Sequence, residues 1–550
     1  MTNKEFAKLF SELASLMELH NENTFKIKSY SNAYLTLRKL DGDINEMSEA
    51  ELEAIPGVGK AIASKIMEVI STGHMATLEK YREMTPEGVR EMLKVNGLGP
   101  KKIDAIWRKL NISSPGELLY ACNENRLIEL SGFGTKTQQE VKSRLEFFFN
   151  SSGKYLYARV IECIQPIIER LKLENPELQI DFTGQVRRKC EIIDDIKLIC
   201  VDLPGLQSKL SNIGELAEKD QGIFSLKLEN DMNLQVIAIN RNKYGVKMFE
   251  ATGPLDFCTN FDSVYKIPDE AVDEQAIFEL NSLPFFAPTL RDNDLEVNKF
   301  ITERVVPELI TYKDIKGVIH NHSTWSDGIH TLEDMANHVR NNGFEYFVIS
   351  DHSKSAFYAN GLSVERVEAQ WNEIDLLNRN FNNFKIFKSI ESDILSDGQL
   401  DYADDILKGF DLVIASIHSN LNMDETKSMR RLISAIENPY TRILGHPTGR
   451  LLLSRSGYPI DHVKLIDACA ANNVVIELNA NPLRLDIDWK WIPYALEKSV
   501  MIAINPDAHS KSGIFDIQFG INVAQKAGLG ANNCLNCLNT EQFEHWVGSK

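Results

Sequence analysis

The sequence predicts a multidomain chain: an α-helical N-terminal region, an α+β middle, and a C-terminal α/β barrel of seven β/α units. Three observations predict it. Within residues 1–150, a glycine turn of the form h-x-G-h-G (h, apolar) recurs three times among helix-spaced apolar residues. From Tyr155 to about Asn240 the pattern mixes helix and strand. From Gly317 onward, short apolar strands alternate with helical stretches, as in βα units around a parallel sheet. A length of 550 residues leaves room for roughly three to five domains, each with its own core.

Composition narrows the class further. The hydrophobic share of 43% and charged share of 25% are ordinary for a globular protein. No apolar run approaches the ~20 residues of a bilayer span, and the N-terminus reads as an amphipathic helix start, so no membrane partner is expected. Eight scattered cysteines fit a reducing, cytoplasmic setting. Cys534-x-x-Cys537 has no second pair and reads as structural rather than as a zinc site. The net charge of −18 would argue against nucleic acid, but residues 1–150 hold 20 Lys+Arg against 21 Asp+Glu. The acidity therefore belongs to the later residues, where a site collecting divalent cations would tolerate it.

In residues 1–150, Phe6, Leu9, Phe10, Leu13 and Met17 keep helical spacing. The three turns are I-P-G-V-G-K at Ile55–Lys60, V-N-G-L-G-P at Val95–Pro100, and L-S-G-F-G-T at Leu130–Thr135. Glycine permits the left-handed turn, and bare amides at the next helix's start can bind a phosphate. The candidate DNA-binding residues are Gly57, Gly59 and Lys60, then Gly97, Gly99 and Lys101, then Gly132, Gly134 and Lys136. These turns resemble helix-hairpin-helix motifs, which hold DNA backbones without reading sequence. The plainer reading is an αα-hairpin with glycine for packing alone; three copies favour DNA. Residues 1–80 form one expected domain and 81–150 a second, fingers-like one. The run G-V-G-K-A-I-A-S-K-I also resembles the small N-terminal lyase domain of family X DNA polymerases. That resemblance implies a Schiff-base nucleophile at Lys65, although Ala61 stands where a second lysine is frequent.

Residues 151–243 resemble the nucleotidyltransferase-like palm of the same family, and 244–298 its thumb, before a linker at 299–314. Helix Leu156–Leu173 and strand Gln179–Thr183 precede Gly184-Gln185-Val186-Arg187-Arg188, and strand Ile196–Val201 follows. Gly184, Arg187 and Arg188 match the family's signature, and Asp195 falls on its first catalytic aspartate. Lys197 falls on the second and Asn233 on the third, while Cys258 replaces an asparagine of the nucleotide loop. Two-metal phosphoryl transfer needs several carboxylates around ions ~3.5–4 Å apart. At ~4 Å and an effective dielectric near 20, each unit charge is worth roughly 4 kcal/mol, so a lysine among the ligands opposes catalysis. Asp194 is no substitute if it lies in a strand, because it then faces away from Asp195. A degenerate palm is expected. P-F-F-A-P-T-L-R at Pro284–Arg291 resembles the thumb's ending, and a charged helix Asn293–Thr311 is expected to lead onward.

Ten of the twelve histidines lie from His320 onward. Seven strands are expected: Gly317–His320, Tyr346–Ser350, Phe384–Ile390, Leu412–Ile417, Arg442–Leu444, Val474–Leu478 and Val500–Ile504. They end in His320 and His322, Asp351 and His352, Glu391, His418, His446, Asn479, and Asp507 with His509. On an extended backbone His320 and His322 share one side. Side chains at the carboxyl ends of barrel strands converge on one mouth. The motifs H-N-H, S-D-H, I-E-S-D, S-I-H-S, G-H-P and P-D-A-H make residues 315–550 resemble a polymerase-and-histidinol-phosphatase (PHP) domain. The resemblance implies three divalent metals. His320, His322, Glu391 and Asp507 would hold the first; Glu391, His418 and His446 the second; Asp327, His352 and His509 the third.

Imidazole and carboxylate donors suit Mn²⁺ or Zn²⁺, with Fe a further candidate. Hydrolysis by metal-activated water is implied, with Glu391, Asp507 and His320 at its centre. Lys354, Arg450 and Arg455 are candidate phosphate holders, and Asp351 is expected to orient a ligand. Asn481, Arg484 and Asp488 form a polar loop of undetermined role. The leading reading is a monomeric DNA-repair 3′-5′ exonuclease acting on gapped, nicked or 3′-recessed DNA, with abasic-site cleavage as a companion activity. Its rivals are an active gap-filling polymerase with a proofreading barrel, a small-molecule phosphomonoesterase, and a non-catalytic DNA-end binder.

Overall fold

A computed structural model describes residues 1–549 except 39, 41, 96, 129, 131, 151, 152, 221 and 229–231. Asn96 and Ser131, inside the second and third glycine turns, thus lie outside the described residues. The chain forms two compact units, Met1–Phe148 and Phe149–Lys550. Among the described residues, no helix is long and apolar enough to cross a membrane.

The first unit is helical. Helix α1 (Asn3–Leu19) opens with a capping box between Thr2 and Glu5 and buries Phe6, Phe10, Leu13 and Met17. Helices α2 (Lys60–Thr72), α3 (Pro100–Leu110) and α4 (Thr135–Asn150) each begin directly behind one of the glycine turns.

The second unit begins with α5 (Tyr157–Glu174), β1 (Ile180–Thr183) and the single turn α6 (Gly184–Arg187). Strands β2 (Lys197–Val201), β3 (Glu215–Asp220), β4 (Ile223–Lys227) and β5 (Asn233–Ile239) complete a five-stranded sheet of order β1-β2-β5-β4-β3. Only β2 and β5 run parallel, so this is a mixed sheet. A helical segment follows, with α7 (Tyr244–Thr252), α8 (Leu255–Val264), α9 (Gln275–Leu280) and α10 (Asp294–Glu303). Phe249, Phe257, Phe261, Phe278, Phe286 and Phe300 form its core.

Arg291 is buried against that aromatic cluster and pairs with Glu274 at 2.8 Å. The expected helix Asn293–Thr311 ends early, at Glu303. Arg304 takes a left-handed conformation (φ 60°), and β-branched Val305 and Val306 lead into Pro307, which cannot continue a helix.

The barrel strands are β6 (Gly317–Val318), β7 (Tyr346–Ile349), β8 (Lys385–Asp393), β9 (Leu412–Ser416), β10 (Thr441–Leu444), β11 (Val475–Asn479) and β12 (Ile502–Asn505). They lie side by side in chain order and all pair in parallel. A parallel bridge between Asn321 and Ala508 brings the two edge strands together beyond their ends, where His322 N donates to Ala508 O at 2.9 Å. Strand alternation sorts the side chains. Phe347 and Ile349 pack in the large core with the outer helices. Tyr346 and Val348 join Phe387, Ile414, Ile443 and Phe543 in a second, separate cluster.

Glu274→Ala would leave the Arg291 guanidinium buried and without its carboxylate. A loss of about 3–5 kcal/mol is expected for breaking such a pair, read as an earlier unfolding midpoint in urea. An unchanged midpoint would show that the pair does not hold this segment.

Candidate metal centre

The site is built where the barrel strands end. Glu391 lies near the carboxyl end of β8, two residues before its last, and is 1% exposed. His320, His418 and His446 place Nε2 at 3.2, 3.1 and 3.0 Å from its Oε1. His352 Nδ1 lies 2.9 Å and His322 Nε2 3.8 Å from its Oε2. Asp507 adds Oδ1 at 3.1 Å from His322 Nε2 and 3.6 Å from His320 Nε2. On the far side Asp327 faces His509 Nε2 at 3.4 Å and His352 Nε2 at 3.6 Å. All nine residues named from the sequence therefore meet in one cluster.

Three donor groups within it are compact enough to hold an ion: His322, Asp327, His352 and His509; His320, His322 and Glu391; and His352, Glu391 and His418. The grouping departs from the expected one: His322 joins the third set, His352 takes the place of His446 in the second, and Asp507 is absent from the first. His320 Nε2, His322 Nδ1, Asp327 Oδ2 and Glu391 Oε2 are buried with no partner in hydrogen-bonding geometry among the described residues. Each faces another ligand-type atom within 4 Å. Buried polar atoms left in that state fit divalent cations, and the imidazole and carboxylate donors suit the borderline transition metals.

The backbone is bent to achieve this. His320, His446 and Asp507 have φ of 63°, 21° and 53°, a region non-glycine residues seldom enter. The extended-strand reading of H-N-H is therefore corrected: β6 ends at Val318, and a left-handed His320 re-aims the ring. Strain of this kind gathers at functional sites.

Electrostatics follow from the packing. Burial disfavours a charged Glu391, but His418, His320 and His352 outweigh it and hold its carboxyl well below the usual range. Burial likewise opposes a charged His418, yet Glu391 and Asp393 raise it to about 10. Burial, with His509 and His352 nearby, drives His322 down to about 3, leaving a neutral ring.

Two carboxylates missed in the sequence orient the rings. Glu477, fully buried, takes His320 Nδ1 at 2.6 Å and also the His446 amide and Asn505. Asp393 takes His418 Nδ1 at 2.5 Å. The signals were present: Asp393 lies two residues after Glu391, on the same side of β8, and Glu477 is a lone acid inside an apolar strand. Asp351 accepts from the amides and hydroxyls of Ser323 and Ser326 and so fixes the loop bearing Asp327, one of the nine ligand-type residues.

The basic candidates divide. Lys354 is exposed just after His352, and Arg455 donates to Gly449 O at 2.8 Å. Arg450 is committed elsewhere. It pairs with Glu191 at 2.9 Å and Asp488 at 2.7 Å and donates to the carbonyls of Arg484 and Leu485, so it is no phosphate holder.

In the first unit, Gly57, Gly97 and Gly132 adopt φ of 89°, 78° and 90°. Gly59, Gly99 and Gly134 precede α2, α3 and α4 with open space around each Cα, and Lys60, Lys101 and Lys136 are exposed beside them. Lys65 lies on α2 and donates to Thr77 Oγ1 at 3.0 Å.

In the mixed sheet, Gly184, Gln185, Arg188, Asp194, Asp195 and Lys197 line an open cavity of about 480 Å³. Asp194 and Asp195 both precede β2, and both amides donate to Gln185 Oε1. The strand argument against Asp194 is thereby corrected, since both acids line the same cavity. Lys197 forms an ion pair with Asp195. Asn233 begins β5 and is exposed. Arg187 bonds Thr252 and Glu274, and Arg188 bonds Asp292.

A parallel barrel whose strand ends carry a buried His/Asp/Glu cluster defines a metal-dependent phosphoesterase type of site. Comparison with known proteins agrees. Residues 1–75 match the model of the helix-hairpin-helix domain and 89–146 that of the SAM-like helix-hairpin-helix tandem. The chain is 32% identical over 576 aligned residues to the DNA polymerase/3'-5' exonuclease PolX of Bacillus subtilis (strain 168), covering 100% of this chain and 99% of that protein. A probable phosphatase of Thermoanaerobacter sp. (strain X514) is 26% identical over 224 residues, 37% of this chain and 89% of its own length. The chain belongs to the PolX family, the bacterial family X DNA polymerases with a C-terminal PHP domain.

Glu477→Gln is expected to weaken Mn²⁺ binding about 10–100-fold, measured calorimetrically, because the ring it orients loses basicity and aim. Unchanged affinity would remove Glu477 from the site.

Proposed function

We propose that the protein is a DNA-end-processing enzyme whose barrel hydrolyses phosphodiester bonds at 3′ ends, with a mixed-sheet palm that no longer polymerises. The observation carrying this reading is the convergence of nine ligand-type side chains around Glu391. Divalent ions held there would supply Lewis acidity at phosphorus and a hydroxide nucleophile at neutral pH. The chain's own residues prepare the site. Glu477 and Asp393 keep the Nδ1 protons of His320 and His418 turned outward, so each Nε2 faces Glu391. Burial excludes bulk water, which strengthens every charge interaction inside.

Two further features support a DNA substrate. The three glycine turns present unencumbered helix starts beside exposed lysines, suited to phosphate backbones without base reading. The two activities in the Bacillus relative's name, polymerase and 3'-5' exonuclease, both act at a DNA 3′ end. Against polymerisation stands the Lys197–Asp195 pair, which spends the palm's matching aspartate on an internal cation. Gapped, nicked or 3′-recessed DNA is the proposed substrate, bound by a monomer.

His320→Ala and His418→Ala are each expected to abolish Mn²⁺-dependent shortening of 3′-recessed DNA, by on the order of 10²-fold or more, while DNA binding in EDTA is retained. Shortening that survives both substitutions would sink the proposal. Preference for a small phosphomonoester over DNA would point instead to a phosphatase like the shorter relatives.

A further inference from the structure

The loop after β11 joins the barrel mouth to the mixed sheet. Its Arg484 side chain is 6% exposed, and Nε lies 3.9 Å from Asp507 Oδ2. The guanidinium is thus at the edge of the ligand cluster, beside Asp507. Its backbone is gripped from behind. Arg450 Nε donates to Arg484 O at 3.0 Å, and the same guanidinium reaches Leu485 O and Asp488. The Arg450 Nη2 that reaches Leu485 O also pairs at 2.9 Å with Glu191, which precedes β2 of the mixed sheet. Asp486 adds a hold on the loop by accepting the Thr448 amide at 3.0 Å.

We propose that Arg484 binds a non-bridging oxygen of the scissile phosphate beside the metal cluster, and that the mixed sheet positions it there through Glu191 and Arg450. The proposal rests on the phosphodiesterase reading above and gives the sheet a role independent of nucleotide incorporation. Arginine suits phosphate binding because its planar fork holds two oxygens at once and stays charged when buried. A buried cation beside carboxylates has a plainer role, offsetting their charge, and the two roles make opposite forecasts. A charge-balancing arginine, once removed, leaves turnover intact at saturating metal. A phosphate-binding one takes turnover with it.

The experiment uses the full chain with bis(p-nitrophenyl) phosphate and 3′-recessed DNA, and measures Mn²⁺ affinity separately by calorimetry. Arg484→Gln is expected to lower kcat on both diesters on the order of 10²-fold at saturating Mn²⁺, with metal affinity unchanged or tighter. Arg484→Lys should recover part of the loss. Glu191→Ala should lower kcat about 10-fold through misplacement of the loop. The double variant should fall no further than Arg484→Gln alone, because the two act as one unit.

Lys189→Met is the control. Lys189 Nζ bonds Asn522 Oδ1 at 2.7 Å and Gln525 Oε1 at 3.3 Å across the same seam, with no hydrogen bond to Glu191, Arg450 or Arg484 among the described residues, and its loss should leave kcat unchanged. Calorimetry shows whether each variant still folds its metal site. Full kcat in Arg484→Gln at saturating Mn²⁺ overturns the inference alone. Additive losses in the double variant overturn the part played by Glu191. A wild-type chain inert on both diesters overturns the phosphodiesterase reading and this inference with it.

Discussion

The second unit depends on one constraint: Glu391 is a buried carboxylate that must be surrounded by donors. Four imidazoles come within 3.2 Å of its two oxygens, from four different strand ends, and a fifth lies at 3.8 Å. A lone ion at that depth would be prohibitively desolvated. The parallel barrel answers the constraint by bringing the carboxyl ends of its strands together, and the left-handed residues His320, His446 and Asp507 complete the aim. Glu477 and Asp393 fix which nitrogen His320 and His418 present. The cluster is an acid-base lattice before any cation enters it.

Much of this was legible from residues alone, because the phase of the motifs carries geometry. Strand β8 was expected at Phe384–Ile390 and lies at Lys385–Asp393; β9 was expected at Leu412–Ile417 and lies at Leu412–Ser416. Ligand types recurring at successive strand ends place side chains at one mouth whatever the loops do. What escaped depends on local backbone and long-range contact. Strand alternation misplaced Asp194, which precedes β2, and gave an extended H-N-H where His320 is left-handed. The helix expected to run to Thr311 stops where Arg304 turns, a detail that charge pattern does not encode. Arg450 looked like a phosphate holder because it follows a motif strand. Its partner Glu191 lies 259 residues away, beyond the reach of any spacing argument.

The mixed sheet has an unusual standing beside the barrel. Its cavity retains Gly184, Arg188 and Asp195, yet Lys197 sits against Asp195 and the matching third position is Asn233. The segment between α6 and β2 is bound to the barrel by Lys189 to Asn522 and Glu191 to Arg450, and Asp292 of the helical segment pairs with Lys526. The last two are partly buried ion pairs, and removing one partner of either is costly.

The central claim is that the cluster around Glu391 is the catalytic centre and the palm cavity is not. The most direct measurement is the fate of the 3′ strand in a 3′-recessed duplex given Mn²⁺, with and without the four dNTPs. Shortening is predicted in both reactions, with no product longer than the starting strand. Template-directed extension in the presence of dNTPs, or an unchanged strand in their absence, would contradict it.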